Sequence, residues 1–354
     1  MTATANLSSP SLSPGVLARM AEMGHEEVVF ACDPAVGYKA IIAVHSTLRG
    51  AALGGARLWN YESEEEALID ALRLARGMTY KCAAADLPLG GGKAVLIGKP
   101  TSGQRAALLR AHGRAVDRLG GRYITAIDIG TSPDDMRYVR ETTRHVACLP
   151  ETIGDPSPVT AHGVVRALRA AVLHATGKKS LTGLTVAVQG CGHVGYNVAR
   201  EVSEGGARLV VSDVDAERAA RAAADFGATV ASSDDIFDAN ADVFAPCARG
   251  AILDDKTIPR LRCAVVAGAA NNQLLDDSSG EQLAERGITY APDFIANAGG
   301  AIYLCRELFG WSDDRVLAQV ERIYDTVLDV LTQAGSSGTL PHKAAEAIAE
   351  ARLR

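Results

Sequence analysis

Apolar positions along the chain follow two rhythms, one of period two and one of period near 3.6. Short runs rich in Val, Ile and Ala predict strands at Glu27–Ala31, Lys39–His45, Ala94–Ile97 and Tyr123–Ile127. Between them, Ser63-Glu64-Glu65-Glu66 has the form of a capping box. Leu68, Ala71, Leu72 and Ala75 then recur at i, i+3, i+4 and i+7, so an amphipathic helix follows and leads into Thr79-Tyr80-Lys81. Pro150, Gly154, Pro156 and Pro158 crowd the stretch after Cys148, which has linker chemistry. The chain therefore divides into a Ser/Thr/Pro-rich disordered tail (1–14), a first domain (15–148), a hinge (149–159) and a second domain (160–329). In the second domain the pattern predicts a helix at Thr160–Ala175 and a strand at Leu184–Gln189. A helix over Val194–Ser203 and a strand over Ala207–Ser212 follow, then strands at Val243–Ala245, Ala264–Ala267 and Thr289–Ala291. The last part reads as helical, with Gln333–Thr339 as a loop before a short final helix. The helices of about 330–354 are expected to pack back on the first domain. Alternating strands and helices give an α/β fold of two domains with a cleft between them, the second doubly wound around a parallel sheet.

The second domain carries the most specific signal. Gly190-Cys191-Gly192-His193-Val194-Gly195 stands between a predicted strand and helix, and the next strand ends in Asp213, about 20 residues further on, as the dinucleotide fingerprint requires. Gly190, Gly192 and Gly195 would let the backbone approach a pyrophosphate at a helix N-terminus, beside Val194 and with any contact from His193 made through its backbone. Asp213 would accept hydrogen bonds from an adenosine ribose and repel a 2′-phosphate. No Arg directly follows it, so the expected cofactor is NAD rather than NADP.

Length and charge agree with a two-domain enzyme. The chain has 354 residues and a net charge of −6, with basic and acidic residues intermixed, so neither nucleic acid nor an anionic membrane is an implied partner. No apolar run approaches the length of a membrane span. Seven dispersed cysteines without a CxxC, and eight histidines without HxxxH or HExxH, argue against metal binding and a disulfide framework. They favour a reducing compartment, the cytoplasm. Cys191 reads as a small filler of the glycine turn.

In the first domain, Lys93 ends Leu89-Gly90-Gly91-Gly92-Lys93. A phosphate-binding loop is excluded, because Leu87 stands where that motif needs glycine and Ala94 where it needs Ser or Thr. The glycines would instead place one amine at the bottom of a cleft, where burial and a second cation lower its pKa toward that of a general base.

Several segments together resemble the glutamate/leucine/phenylalanine/valine dehydrogenase family over about Gly24 to Ala351, in its short leucine, valine and phenylalanine branch. They are Gly77-Met78-Thr79-Tyr80-Lys81, Leu89 to Ala94, Thr125-Ala126-Ile127-Asp128-Ile129-Gly130-Thr131, Ala245-Pro246-Cys247-Ala248, Gly268-Ala269-Ala270-Asn271-Asn272, and Ala291 to Gly300. The resemblance implies that Lys81 binds the substrate α-carboxylate, Lys93 activates the attacking water and Asp128 exchanges a proton with the amino nitrogen. It also implies that backbone around Gly54 and Gly55 touches the carboxylate and that Asn272 and Asn297 border nicotinamide and substrate. Cys247, Ala248, Ala269 and Asn271 would line the cofactor site together with Asn297. The partners implied are an amino acid, its 2-oxo acid and ammonia, and the assembly implied is a homo-oligomer. The connection before Gly154-Asp155-Pro156-Ser157-Pro158 is shorter than is usual in the family.

Glutamate dehydrogenases carry a lysine where this chain has Leu53 and a serine where it has Leu304. An unpaired carboxylate buried against two leucines would cost several kcal/mol, so an apolar L-amino acid is expected. Ala126 and Ala301 would line the remaining pocket, the second leaning toward large side chains and the first toward aliphatic ones. A hydroxy-acid dehydrogenase would want a His/Arg dyad, and a catalytically silent paralogue would have lost Lys81, Lys93 or Asp128. All three lysine and aspartate positions are intact.

Overall fold

A computed structural model describes residues 15–152 and 154–353; the expected tail, 1–14, lies outside them. The first half runs α1 (Val16–Met23), β1 (Glu27–Asp33), β2 (Tyr38–Ser46), β3 (Ala52–Trp59), α2 (Glu64–Ala84), β4 (Gly90–Ile97), α3 (Ser102–Asp117), β5 (Tyr123–Ile127) and α4 (Pro133–Arg140). Its five strands stand in the order β1-β2-β4-β3-β5, with β2 antiparallel to both β1 and β4 and β3 parallel to both β4 and β5. Strand β3 was not expected, because Gly54-Gly55 interrupts its apolar pattern. A Cβ on Gly54 would stand 1.9 Å from the Gly92 carbonyl oxygen, so close strand approach requires glycine here.

Helix α2 buries Leu68, Ala71, Leu72 and Ala75 against Ile41, Ala43 and Val95 of the sheet, as its periodicity requires. Only half of the expected capping box forms. Ser63 Oγ accepts from Glu66 N at 3.1 Å, but the Glu66 carboxylate accepts from Glu62 N at 2.8 Å.

The second half runs α5 (Ser157–Thr176), β6 (Thr185–Gln189), α6 (His193–Glu204), β7 (Arg208–Ser212), α7 (Ala216–Phe226), β8 (Thr229–Val230), β9 (Val243–Pro246), β10 (Val265–Val266), α8 (Asp277–Glu285) and β11 (Thr289–Tyr290). Four helices close it: α9 (Asp293–Ala296), α10 (Gly299–Phe309), α11 (Asp313–Ser337) and α12 (Pro341–Ala351). The six strands are all parallel, in the order β11-β10-β9-β6-β7-β8. Winding reverses between β6 and β9, so a crevice opens beyond their carboxyl ends, where open α/β sheets bind ligands.

Two expectations need correction. Helix α5 starts at Ser157 rather than Thr160, because Pro158 is compatible with a first helical turn. Gln333–Thr339 is not a loop: α11 continues to Ser337 and stops at Gly338 in the left-handed conformation. The hydroxyls of Ser336 and Ser337 donate back to the Gln333 carbonyl at 3.0 and 2.7 Å, and Ala334 is buried, so small polar residues continue the helix. The chain end then returns to the first half: Tyr80 Oη on α2 donates to Glu350 at 2.7 Å, and Arg49, between β2 and β3, donates to the Arg352 carbonyl at 2.8 Å. Among the described residues no helix is long and apolar enough to cross a membrane.

Candidate active site

Side chains alternate along β3, so Leu53, Gly55 and Arg57 share one face. Register sets Gly55 beside Ala126 and Ala56 beside Ala94, which brings Lys93 and Asp128 to the same place. A Cβ on Gly55 would lie 2.7 Å from that of Asp128; the second glycine of the pair is space for the aspartate. A Cβ on Gly91 would lie 2.0 Å from Thr79 N. The glycine run thus lets α2 settle onto β4, and the helix delivers Lys81 to the cleft that Lys93 enters from below.

Lys93, only 4 % exposed, holds Asp128 through Nζ and Oδ1 at 2.8 Å. Burial lowers the Lys93 ammonium below a lysine's ordinary range; Asp128 resists and Arg57 adds to the lowering. For Asp128, burial alone would raise the carboxyl, but Lys93 and Arg57 prevail and hold it below the ordinary carboxylate range. Burial likewise lowers Lys81, with Asp293 pulling the other way. Lys81 Nζ donates across the cleft to Asn271 Oδ1 at 3.0 Å, and the same oxygen accepts from Asn297 Nδ2 at 3.0 Å.

These groups border one cavity of about 280 Å³. Lys81, Lys93 and Asp128 line it together with Asn271, Asn297, Ala269 and Gly300. Leu53, Met78, Ala126, Ala301 and Leu304 provide apolar wall. Met78, one helical turn before Lys81, and Cys148, which adopts a positive φ of 69° at the start of the inter-domain crossover, were not picked out from the sequence. The i, i+3 spacing from Lys81 could have found Met78; nothing local marks Cys148. Two of the expected residues stand apart from this cavity. Asn272 is not among the cavity's lining residues: it has a positive φ, its N–H donates to Asp293, and it borders a neighbouring hollow beside α12, while Asn271 takes the place at Lys81. Gly54 lies behind the wall against Gly92, its carbonyl accepting from Tyr123 Oη at 2.7 Å.

The fingerprint residues stand at the end of β6. A Cβ on Gly195 would meet the Gly190 carbonyl oxygen at 1.9 Å, and one on Gly190 would lie 2.8 Å from Ala248 Cβ, so the turn is closed tightly against Cys247 and Ala248. At Gly192 nothing among the described residues lies within 4 Å of where a Cβ would be. It opens onto the N-terminus of α6, which has no side-chain cap. Unclaimed N–H groups and open space at a helix start suit a pyrophosphate. His193 is exposed and Val194 reaches the cavity. Asp213 accepts from Cys191 N at 2.7 Å and Asp215 N at 2.9 Å, leaving lone pairs on both oxygens at the edge of the crevice. Asn297 Oδ1 is buried with no hydrogen-bond partner among the described residues, an acceptor that suits a ligand's N–H. The residues present therefore fit a nicotinamide dinucleotide. Cys191 is buried, filling the turn. No group of His, Cys, Asp and Glu able to hold a metal occurs among the described residues.

Two family models match the chain: the Glu/Leu/Phe/Val dehydrogenase dimerisation domain over residues 25–145, and Glutamate/Leucine/Phenylalanine/Valine dehydrogenase over 215–353. Leucine dehydrogenase of Thermoactinomyces intermedius is 49% identical over 337 residues, 94% of this chain and 92% of that protein. Phenylalanine dehydrogenase of Bacillus thermotolerans is 45% identical, covering 93% and 88%. The crystal structure of L-tryptophan dehydrogenase from Nostoc punctiforme superposes with a TM-score of 0.85 at 44% identity, covering 95% of this chain and 98% of that one.

Proposed function

Since the chain belongs to the Glu/Leu/Phe/Val dehydrogenase family and is an amino acid dehydrogenase, we propose that it catalyses the reversible, NAD-dependent oxidative deamination of an apolar L-amino acid to its 2-oxo acid and ammonia. The observation that carries this reading is the lining of the cavity, which joins a lysine–aspartate pair, a second lysine and two asparagines to leucines, alanines and a methionine. Lys81 would anchor the substrate carboxylate as a fixed cation. Asp128 would take a proton from the substrate ammonium, since a free amine is needed before the Cα–H bond can break. NAD, when bound, supplies the acceptor for the Cα hydride. Neutral Lys93 would then remove a proton from the water that adds to the imine carbon, and Asp128 would return a proton to the nitrogen; the C–N bond would break to release ammonia as the new hydroxyl loses its proton to solvent and becomes the 2-oxo group.

Leu53 and Leu304 support rejection of glutamate, because neither can pair a γ-carboxylate. Leucine, valine and phenylalanine are the leading substrates; the relatives named above act on leucine, phenylalanine and tryptophan. Asp213 at the end of β7 supports NAD over NADP. A homo-oligomer is proposed from the match of the first half to a dimerisation domain and from the outer edge of β1, which pairs with no further strand among the described residues and where Phe30 is 58% exposed. The test is a screen of the twenty amino acids with NAD and NADP, with the 2-oxo acid and ammonia in reverse. The expected result is NAD reduction with apolar L-amino acids. Glutamate used as well as the best apolar substrate would refute the assignment.

A further inference from the structure

The face of β3 that presents Leu53 to the cavity and Gly55 to Asp128 continues to Arg57. Its Nε donates to Asp128 Oδ2 at 2.7 Å, the oxygen that Lys93 leaves free. Its Nη1 donates to Asp70 Oδ2 on α2 at 3.0 Å, and Tyr61 Oη donates to that same oxygen at 2.5 Å. Charges thus alternate from the cavity floor outward: Lys93, Asp128, Arg57, Asp70. Arg57 does not border the substrate cavity. It lines a separate hollow with Trp59, Tyr61 and Asp70, so any effect on the reaction passes through Asp128.

Resting on the amino acid dehydrogenase reading of the site, we propose that Arg57, anchored by Asp70 and Tyr61, is the positioning residue of the catalytic pair, occupying one oxygen of Asp128 so that Oδ1 alone serves Lys93 and the substrate amine. An Asp side chain is free to turn about its last torsion, which is broad and nearly two-fold. A guanidinium fixed at both ends removes that freedom in a way a lysine ammonium cannot. The anchor on α2 also ties the carboxylate to the helix that carries Lys81, so the groups serving the substrate's amine and carboxylate share one frame.

The same charges set the protonation of the pair. Arg57 disfavours a second cation at Lys93, while Asp70 favours one. The other groups facing the pair are Lys81 from α2, with Asp293 behind it on α9, and the buried Tyr123 from β5. None of these is altered by changes at 57 or 70. Deamination needs neutral Lys93, so kcat/KM rises with pH through an acid limb. Loss of the Arg57 charge moves that limb up; loss of the Asp70 charge moves it down.

The experiment compares wild type with Arg57→Gln, Arg57→Lys and Asp70→Asn, measuring kcat, KM and the pH profile of kcat/KM with the best apolar substrate. Arg57→Gln is expected to lower kcat with little change in amino acid KM and to raise the acid limb by about one unit. Asp70→Asn should shift it by less and in the opposite direction. Arg57→Lys should keep the limb near wild type yet restore only part of kcat. Should Arg57→Gln not fold, the opposite signs expected of Asp70→Asn and a limb-neutral Arg57→Lys still decide. Uniform activity loss with an unmoved limb in all variants, or a downward shift in Arg57→Gln, overturns the proposal. A wild-type chain without amino-acid-dependent NAD reduction would overturn the proposed function instead.

Discussion

Leu53→Lys tests the specificity argument at its strongest point. Leu53 is 1% exposed and forms cavity wall on β3, two residues from Gly55 and flanked in register by Gly91 and Ile124. Among the described residues no free carboxylate stands near it: the charged groups bordering the cavity are Lys81, Lys93 and Asp128, and Asp128 already holds Lys93 and Arg57. Replacing the branched apolar end removes contact equivalent to two or three methylenes, about 2 kcal/mol at about 0.8 kcal/mol each. Burial of an unpaired cation penalises an apolar substrate further. A loss of about 2 kcal/mol corresponds to roughly thirtyfold in kcat/KM. Glutamate would gain a partner for its γ-carboxylate, but Leu304 still lacks a polar group, so glutamate turnover should stay low while the ratio of glutamate to leucine activity rises. The assay is kcat/KM for leucine, phenylalanine and glutamate at saturating NAD, with the melting temperature as a control for folding. Activity on the best apolar substrate within about twofold of wild type, well short of the tenfold that 1.4 kcal/mol represents, would refute the placement of Leu53 in the side-chain pocket.

Lys93→Ala is expected to lower kcat by about 10²–10⁴, the usual worth of acid–base catalysis, with NAD binding retained; near-normal turnover would remove Lys93 from the mechanism. Lys81→Ala should act chiefly on amino acid KM because it deletes a carboxylate anchor, and a pure kcat effect would contradict that role. Because burial lowers Lys93 below a lysine's ordinary value, the neutral base is available at lower pH than a free lysine would allow. The acid limb of wild-type kcat/KM should therefore lie below 10.5, the ordinary value, and a limb at or above it would exclude Lys93 as the titrating base. Asp213→Ala should narrow the preference for NAD over NADP by removing the charge that faces a 2′-phosphate, which steady-state comparison of the two cofactors measures; an unchanged ratio would place the discrimination elsewhere.

The parts of the site that sequence made legible are those where one residue type at one spacing has a single physical use. The glycine turn at 190–195 is of this kind, since Gly195 has no room for a Cβ beside the Gly190 carbonyl. So is the Leu68–Ala75 periodicity, which fixes which face of α2 meets the sheet and hence where Lys81 emerges. Strand β3 was illegible for the opposite reason. Its Gly54-Gly55 pair weakens every strand signal and becomes meaningful only when β4 and Asp128 occupy the space the missing side chains leave. Position alone turned Asn272 rather than Asn271 toward the substrate, because the left-handed backbone at 272, which sets its N–H on Asp293 and leaves the Asn271 side chain at Lys81, has no local signal. Arg57 was hidden by the same logic: an arginine two residues beyond a glycine pair reads as a surface charge until strand pairing sets it against Asp128 and α2 brings Asp70 behind it. In each hidden case the deciding contact joins residues far apart in the chain. Local pattern thus locates the elements, while sheet register and helix seating decide which side chains share the cavity, and the chemistry depends on that second step.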